Sequence, residues 1–342
     1  MKSVRLGKTG IQVSEVGFGG IPITRLSFDE GVDLVKHCFD QGITFFDTAY
    51  AYGDSEAKIG PALEGVRDKV VLATKTLVRD AAGAKAQLEE SLSRLKTDHI
   101  DLYQLHNISN DESLDKILAP GGAYEAAVQA REEGKIGHIG FTAHNLDIAE
   151  KACRTGLFAT VQVPFNFIEH DPADKLFPLA RENDMGIIAM KPFGGGLLER
   201  AELCFGFLQQ HGAVIPIPGM QSKQEVDENV RLYEKPRVLT QQDRDEIESI
   251  RSELGDRFCH RCEYCLPCPE GVAVWQVLLF KAQTKRFPPE MVMKLSAGPM
   301  ETAENCIQCE ECAEKCPYEL PVPEMISESL EQYRDYREQH GL

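Results

Sequence analysis

Residues 70–106 read VVLATKTLVRDAAGAKAQLEESLSRLKTDHIDLYQLH. An apolar run at Val70–Thr74 is followed by an amphipathic stretch at Ala81–Leu95, and a second apolar run follows at Ile100–Leu105. Strand-like runs that alternate with helical stretches are typical of βαβ units, in which the two strands are parallel. This segment therefore predicts a parallel sheet with helices packed against it.

The same alternation continues on both sides of this segment. Further helices are predicted at Phe28–Asp40, Ala123–Glu133 and Asp174–Asn183, and the other predicted strands are Val16–Gly19, Thr44–Thr48, Ile136–Phe141, Thr160–Val163, Gly186–Met190 and Val214–Ile217. Eight strands in this order predict an α/β fold of the (β/α)₈ TIM-barrel type. A doubly wound sheet is the alternative. It is less favoured because GFGG at residues 17–20 runs into Ile21 and Pro22 and does not open a helix.

Composition limits the class of protein. The 342 residues are enough for a barrel of roughly 250 residues with an added module. A net charge of −17 argues against a nucleic-acid partner, because a phosphate backbone binds basic surfaces. The longest apolar run, GVAVWQVLLF, is far shorter than the roughly 20 residues that span a bilayer, and the start lacks the apolar core of a signal peptide. We predict a cytoplasmic protein without a membrane partner.

The cysteines are unevenly distributed. Cys38, Cys153 and Cys204 are scattered within apolar or helical patterns, and we interpret them as buried, inert thiols. The other eight form two runs: Cys259, Cys262, Cys265 and Cys268, then Cys306, Cys309, Cys312 and Cys316. This asymmetry predicts two domains, residues 1–237 for the barrel and 238–342 for a smaller, mainly helical domain.

The cysteine spacing indicates two [4Fe–4S] clusters. The second run has the ferredoxin spacing Cys-x₂-Cys-x₂-Cys-x₃-Cys-Pro, and the first run is one residue shorter before its last cysteine. Zinc is the main alternative, but two tight runs that both end in Cys-Pro suit cubane clusters better. Disulfides are disfavoured in a cytoplasmic protein. Because three thiolates of one run leave one corner of a cubane open, the fourth ligand is expected to come from the other run. This crossover predicts the sets Cys259, Cys262, Cys265, Cys316 and Cys306, Cys309, Cys312, Cys268.

A barrel enzyme carries its catalytic residues at the carboxyl ends of its strands. The predicted strands end in FFDTAYAYGDSE, VLATK and DLYQLH, which places Asp47, Tyr52, Lys75 and His106 on one rim. These strings closely resemble those of the aldo/keto reductase superfamily, in particular the subgroup with a C-terminal ferredoxin-like dicluster domain. The resemblance covers about residues 1–235. It implies that the four residues form a catalytic tetrad for hydride transfer between NAD(P)H and a small-molecule carbonyl substrate.

The chemistry requires these residue types. Hydride delivery to a carbonyl builds negative charge on its oxygen, which a nearby acid must neutralise. A tyrosine with an ordinary pKa of about 10 is a poor donor unless it is tuned. We expect the Lys75 cation to favour the phenolate of Tyr52, Asp47 to hold the Lys75 ammonium, and His106 to orient the carbonyl or to assist proton transfer.

The resemblance also implies a set of residues that bind the cofactor. Thr142 and Gln162 would contact the nicotinamide carboxamide, and the segment IPIPGMQSKQEVDEN would hold the adenosine phosphate at a helix start. The complete set is Gly20, Thr142, Gln162, Met190, Gly219, Met220, Ser222, Lys223, Glu225, Glu228 and Asn229.

Three departures from the family pattern carry information. Ala143 and His144 replace the usual Ser-Asn pair, and Met190 replaces the tyrosine that stacks on the nicotinamide ring. Glu225 stands where many relatives carry an arginine for the 2′-phosphate. A carboxylate repels a phosphate and can accept a hydrogen bond from a ribose hydroxyl, so NADH is favoured over NADPH, with Lys223 as a partial offset.

Two functions follow from these patterns. The first is an aldo/keto reductase whose clusters are structural or transfer electrons. The second is a ferredoxin-linked electron-transfer protein, in which the barrel binds a ligand or another redox cofactor and does not use NAD(P)H. The intact tetrad favours the first function, whereas Met190, Glu225 and the clusters favour the second.

Overall fold

The computed structural model describes residues 1–254, 257–259, 265–286, 289–316 and 318–341. The chain forms two compact units, Met1–Ile247 and Glu248–Leu342. Their border lies at residue 247, whereas the sequence placed the domain boundary at residue 237.

The first unit is built on a parallel sheet of eight strands. An antiparallel hairpin, β1 (Ser3–Arg5) and β2 (Gln12–Ser14), precedes this sheet. The parallel strands are β3 (Phe18–Gly19), β4 (Phe45–Asp47), β5 (Val71–Thr76), β6 (Ile100–Leu105), β7 (Ile136–Thr142), β8 (Thr160–Pro164), β9 (Gly186–Met190) and β10 (Val214–Pro216). They neighbour one another in sequence order from β3 to β10. The predicted α/β class with eight parallel strands is confirmed.

The first and last strands of the sheet meet. Gly17 N donates to Pro216 O at 2.8 Å, Gly19 N donates to Pro218 O at 2.9 Å, and Gly19 forms a parallel bridge with Gly219. A Cβ atom on residue 19 would lie only 2.7 Å from Ile217 O, so the approach of the two strands requires glycine there. These bonds close the sheet, as a barrel requires.

Helices follow the strands in the first unit. They are α1 (Phe28–Asp40), α2 (Ser55–Leu63), α3 (Ala81–Arg94), α4 (Asp111–Leu118), α5 (Ala123–Glu132), α6 (Leu146–Arg154), α7 (Pro172–Lys175), α8 (Phe177–Glu182), α9 (Ala201–Leu208) and α10 (Lys223–Glu234). The next helix, α11 (Gln241–Leu254), begins in the first unit and ends in the second. The helix predicted over 174–183 is divided into α7 and α8 at Leu176. Pro178 explains the division, because proline donates no backbone hydrogen bond and is tolerated only in the first turn of a helix.

The strands of the sheet are buried on both faces. One apolar cluster, which includes Phe45, Leu102 and Ile215, is separate from the larger cluster that lies between the strands and the helices. Burial on both faces is typical of parallel sheets. Buried polar residues on these strands therefore mark a site that the apolar core does not explain.

The second unit is helical over the residues that the structure describes. Its helices are α12 (Val274–Leu278), α13 (Phe280–Arg286), α14 (Pro289–Ala303), α15 (Glu311–Glu314) and α16 (Val322–His340). A small apolar core joins α12, α14 and α16 through residues such as Val277, Val292 and Ile326. No helix among the described ranges has the length and apolar character needed to cross a bilayer.

Candidate functional site

The structure gathers the four predicted catalytic side chains at the carboxyl ends of neighbouring strands. Asp47 ends β4, Lys75 lies near the end of β5, and His106 directly follows β6. Lys75 Nζ lies 2.5 Å from Asp47 Oδ1 and 5.0 Å from the centre of the Tyr52 ring. The Tyr52 and His106 rings meet edge to face with their centres 5.6 Å apart. The strand ends thus build one compact polar cluster.

Asp47 and Lys75 form a buried ion pair beneath the Tyr52 ring. Lys75 Nζ also donates to Thr48 O at 2.6 Å, and Gln104 Nε2 donates to Asp47 Oδ2 at 2.9 Å. Burial raises the pKa of Asp47 and lowers the pKa of Lys75, and the contact between the two groups opposes both shifts. Each charge is therefore held in place by the other.

Tyr52 and His106 are both neutral in this environment. Burial, followed by the Asp47 charge, raises the pKa of Tyr52 above its ordinary value. Burial, with the Lys75 and Arg79 charges, lowers the pKa of His106 to about 3. Burial and the Asp47 charge thus oppose the shift of Tyr52 toward the phenolate that the sequence leads us to expect from Lys75. The cluster thus presents a phenol that can donate a proton and an uncharged imidazole.

Sequence reasoning missed one member of this cluster, Gln104. Its side chain is fully buried and holds Asp47, and its Oε1 atom has no hydrogen-bond partner among the described residues. The signal was present in DLYQLH, where a glutamine interrupts an apolar strand. A polar residue on a strand buried on both faces indicates a functional or packing constraint.

Thr142, the last residue of β7, lies beside Gln162 in the middle of β8, and their Cα atoms are in register. Gln162 is 2 % exposed, and its Oε1 atom has no partner in the described part of the chain. The Thr142 hydroxyl accepts from Asn107 N at 2.8 Å, which leaves its own proton free to be donated. A carboxamide offers an N–H donor and a carbonyl acceptor, so these two groups fit the nicotinamide carboxamide.

Other predicted cofactor residues lie at the same rim or at the start of α10. Gly20 N donates to Asp47 O at 2.8 Å, and a Cβ atom there would lie 2.7 Å from Ser55 Oγ. Met190 ends β9 and is half-buried. Among the remaining predicted residues, the side chains of Met220 and Asn229 are buried. Those of four others are exposed: Ser222, Lys223, Glu225 and Glu228. Gly219 packs against Pro22.

The start of α10 is capped by its own side chains. Ser222 Oγ accepts from Glu225 N at 3.2 Å, and Glu225 Oε2 accepts from Gln221 N at 2.7 Å. Lys223 Nζ pairs with Asp33 of α1 at 2.6 Å. A carboxylate therefore occupies a backbone donor at this helix start, and the nearest lysine is already paired.

In the second unit, cysteines from both runs meet. Cys265 and Cys268 of the first run line the same cleft as Cys306, Cys309 and Cys312 of the second run. Burial, followed by the nearby thiols of Cys306 and Cys268, raises the pKa of Cys312. Cys259 packs against the helical core, Cys316 lines a second cleft, and Cys262 lies outside the described residues.

No three His, Cys, Asp or Glu side chains within the described ranges converge on a point that could hold one metal ion. In a cubane, by contrast, each thiolate binds a different iron, so its four ligands line a shared cavity. The ten described cysteines are free thiols. Cys38, Cys153 and Cys204 are buried as expected, and burial raises the pKa of Cys153 to about 12.

Known proteins match this chain in its first unit and over most of its length. The sequence model of the Aldo/keto reductase family matches residues 15–204. "Probable aldo-keto reductase 1" of Glycine max is 28% identical over 262 residues, which cover 69% of this chain and 71% of that protein. Aldo-keto reductase YhdN of Bacillus subtilis (strain 168) is 31% identical over 217 residues, or 58% of this chain and 64% of that protein.

A solved structure shows the same relationship. Aldo-keto reductase AKR11C1 from Bacillus halodurans, in its holo form, superposes with a TM-score of 0.63 at 26% identity and covers 73% of this chain and 96% of that one. The family match spans more than half of the chain and contains all four residues of the rim cluster. The chain therefore belongs to the aldo/keto reductase family of oxidoreductases.

Proposed function

We propose that the barrel catalyses reversible hydride transfer between NADH and a small-molecule carbonyl or alcohol. The observation that carries the proposal is the cluster of Tyr52, His106 and the Asp47–Lys75 pair at the rim that also carries Thr142 and Gln162. The nicotinamide, when bound, supplies or accepts the hydride. The protein's own residues must position the carboxamide, orient the carbonyl and deliver the proton.

Each residue has a distinct part in this chemistry. Gln162 Oε1 and the Thr142 hydroxyl would hold the nicotinamide carboxamide. The neutral His106 imidazole binds the carbonyl oxygen, and the Tyr52 phenol donates a proton to it. The Lys75 ammonium, 5.0 Å from the Tyr52 ring, stabilises the phenolate that remains. In the reverse direction this phenolate accepts the proton of the alcohol.

The contacts at the start of α10 support NADH as the preferred dinucleotide. Glu225 accepts from Gln221 N, and Lys223, the lysine at this helix start, is paired with Asp33, so neither side chain offers a free cation to a 2′-phosphate. The Glu225 carboxylate also repels that phosphate, whereas it can accept from a ribose hydroxyl.

Replacing Glu225 by Gln should therefore improve NADPH affinity by about tenfold, the equivalent of about 1.4 kcal/mol, with a smaller change for NADH. Anaerobic fluorescence titrations with NADH and with NADPH measure both dissociation constants. Asp227→Asn on the same helix, where Asp227 pairs with His37, is the matched control. An unchanged NADPH affinity in Glu225→Gln would refute the assignment of this residue. Failure of wild-type protein to bind either dinucleotide would refute the proposed function.

We further propose that the second unit binds two [4Fe–4S] clusters, one on Cys268, Cys306, Cys309 and Cys312 and the other on Cys259, Cys262, Cys265 and Cys316. The cleft that joins cysteines of the first run, Cys265 and Cys268, to Cys306, Cys309 and Cys312 supports a cluster site there, and the choice of Cys268 as its fourth ligand follows the crossover expected from the spacing. When bound, such clusters supply one-electron transfer or hold a small domain together. A ferredoxin is the chemical class of redox partner that this arrangement suits.

The clusters should not take electrons directly from the nicotinamide. NADH gives up two electrons together, and a [4Fe–4S] cluster accepts one, so exchange normally requires a flavin or a similar intermediary. We expect dithionite to bleach the cluster absorbance of the purified, flavin-free protein, and NADH to leave it unchanged on the time scale of turnover. Anaerobic stopped-flow absorbance measures both reactions.

The second candidate function, ferredoxin-linked electron transfer, is favoured by the cysteine cleft and by Met190 in place of a ring-stacking tyrosine. Rapid bleaching by NADH without flavin would contradict the electron-counting argument. Bound flavin would favour the electron-transfer function, because a flavin converts two-electron into one-electron transfer.

A further inference from the structure

A set of polar side chains lies outside the barrel strands, behind the segment that carries Tyr52. Arg94, the last residue of α3, pairs with Glu90 one turn earlier, and its Nη1 atom lies 3.4 Å from Glu56 Oε2 and 3.4 Å from Tyr50 O. Its guanidinium stacks over the Tyr50 ring at 4.5 Å, and the Tyr50 hydroxyl donates to Glu90 at 2.7 Å. We call Tyr50, Glu56, Glu90 and Arg94 the Arg94 clamp.

The clamp includes residues of the chain on both sides of Tyr52. Tyr50 precedes it by two residues, and Glu56 follows it in the first turn of α2. Between them, Ala51, Gly53 and Asp54 are exposed. Asp54 pairs with Lys58 at 2.8 Å, and Tyr52 N donates to Ala49 O at 2.9 Å. The clamp adds contacts at both flanking residues to these local ones, and together they fix the position of the phenol.

Glu56 is the anchor on the inner side. It is fully buried, and the Thr74 hydroxyl donates to its Oε1 atom at 2.6 Å. Thr74 directly precedes Lys75 on β5, and the Glu56 charge acts on the Lys75 ammonium. A buried carboxylate is costly unless a cation accompanies it. Arg94 is the cation that contacts Glu56 directly, with its side chain 28% exposed.

We propose that Arg94 is a positioning residue for the reaction at Tyr52: through Tyr50 and Glu56 it holds the Tyr52 phenol against Lys75 and His106. This inference rests on the proposed carbonyl reductase function. The geometry requires an arginine, because its planar guanidinium contacts two carboxylates, those of Glu56 and Glu90, and stacks on the Tyr50 ring at the same time.

The test compares Arg94→Ala, Arg94→Lys and Glu90→Gln with the matched control Glu89→Gln. Glu89 is the neighbouring residue on α3, and it pairs with Lys135 at 2.6 Å, away from the clamp. In Arg94→Ala we expect kcat to fall by about 100-fold, the scale expected for a misplacement of about 1 Å, with KM and the NADH dissociation constant within about twofold of wild type. Added guanidinium should restore part of the kcat of Arg94→Ala. The lysine in Arg94→Lys should not restore it, because an ammonium lacks the planar fork. The control Glu89→Gln should behave as wild type.

Amide hydrogen exchange of residues 50–55 provides a readout that does not depend on turnover. We expect faster exchange in Arg94→Ala and Glu90→Gln than in wild type, and no change in Glu89→Gln. Unchanged exchange in Arg94→Ala would overturn the proposal, and so would a combined loss of kcat, NADH affinity and melting temperature that guanidinium does not reverse. Faster exchange in a protein whose wild type has no NADH-dependent turnover would support the clamp and refute the proposed function.

Discussion

Tyr52→Phe should reduce carbonyl reduction by about 10³-fold in kcat, while the protein keeps its fold and its NADH affinity. The phenol is neutral and meets His106 at the rim, so it is the group that can donate a proton to the developing oxyanion. Loss of a general acid costs about 10² to 10⁴ in rate. Steady-state kinetics with any accepted carbonyl substrate, together with a dinucleotide titration, measure both quantities.

Tyr124→Phe is the control for this substitution. Tyr124 lies on α5, and its hydroxyl donates to Leu157 O at 3.3 Å, so the same atom is removed at a site unrelated to the rim. If Tyr52→Phe retains most of the wild-type turnover, the assignment of Tyr52 as proton donor is wrong. A parallel loss of NADH affinity would instead indicate that the substitution disturbs the cofactor site.

Cys268→Ser should eliminate the cluster held by Cys306, Cys309 and Cys312, and Cys316→Ser should eliminate the other one. Cys268 lies in the cleft of the second run although it belongs to the first. Each substitution should reduce the iron content from about eight to about four atoms per chain. Iron analysis and paramagnetic resonance of the reduced protein measure the loss and identify the cluster that remains.

Double variants make this test sharper. Cys268→Ser combined with Cys309→Ser should retain about four irons, because both residues belong to one set, whereas Cys268→Ser combined with Cys265→Ser should retain almost none. Cys204→Ser, which changes a buried thiol of α9, should leave all the iron in place. The crossover is contradicted if Cys268→Ser and Cys265→Ser together leave one cluster intact.

The sequence predicted the sheet and the gathering of the rim residues because both follow from local patterns. Apolar runs of strand length fix each strand, and the carboxyl ends of consecutive parallel strands must neighbour one another. The break of the predicted helix at Leu176 was missed, although Pro178 is visible in the sequence. An amphipathic pattern continues through such a break, so periodicity alone does not reveal it.

Electrostatic properties of the site could not be predicted in the same way. The pKa of Tyr52 is raised chiefly because the phenol is buried, and secondly by the Asp47 charge, and both depend on how the rim packs in three dimensions. The capping of α10 by Glu225 and the Lys223–Asp33 pair likewise depend on rotamers and on a neighbouring helix. The roles of these residues are predictions that the kinetic measurements and dinucleotide titrations test.

The contact between β3 and β10, the first and last strands of the sheet, determines when the site is completed during folding. Gly19 and Gly219 are bridged although 200 positions of sequence separate them, and β3 contains only two residues. Contacts of such long sequence separation form late, since the intervening chain must first be ordered. Gly20 and Gly219 flank this contact, so their side of the proposed dinucleotide site is assembled only when β10 joins the sheet. During synthesis, a nascent chain whose β10 segment has not yet emerged from the ribosome can already form the Asp47–Lys75 pair, but it still lacks the complete proposed cofactor site.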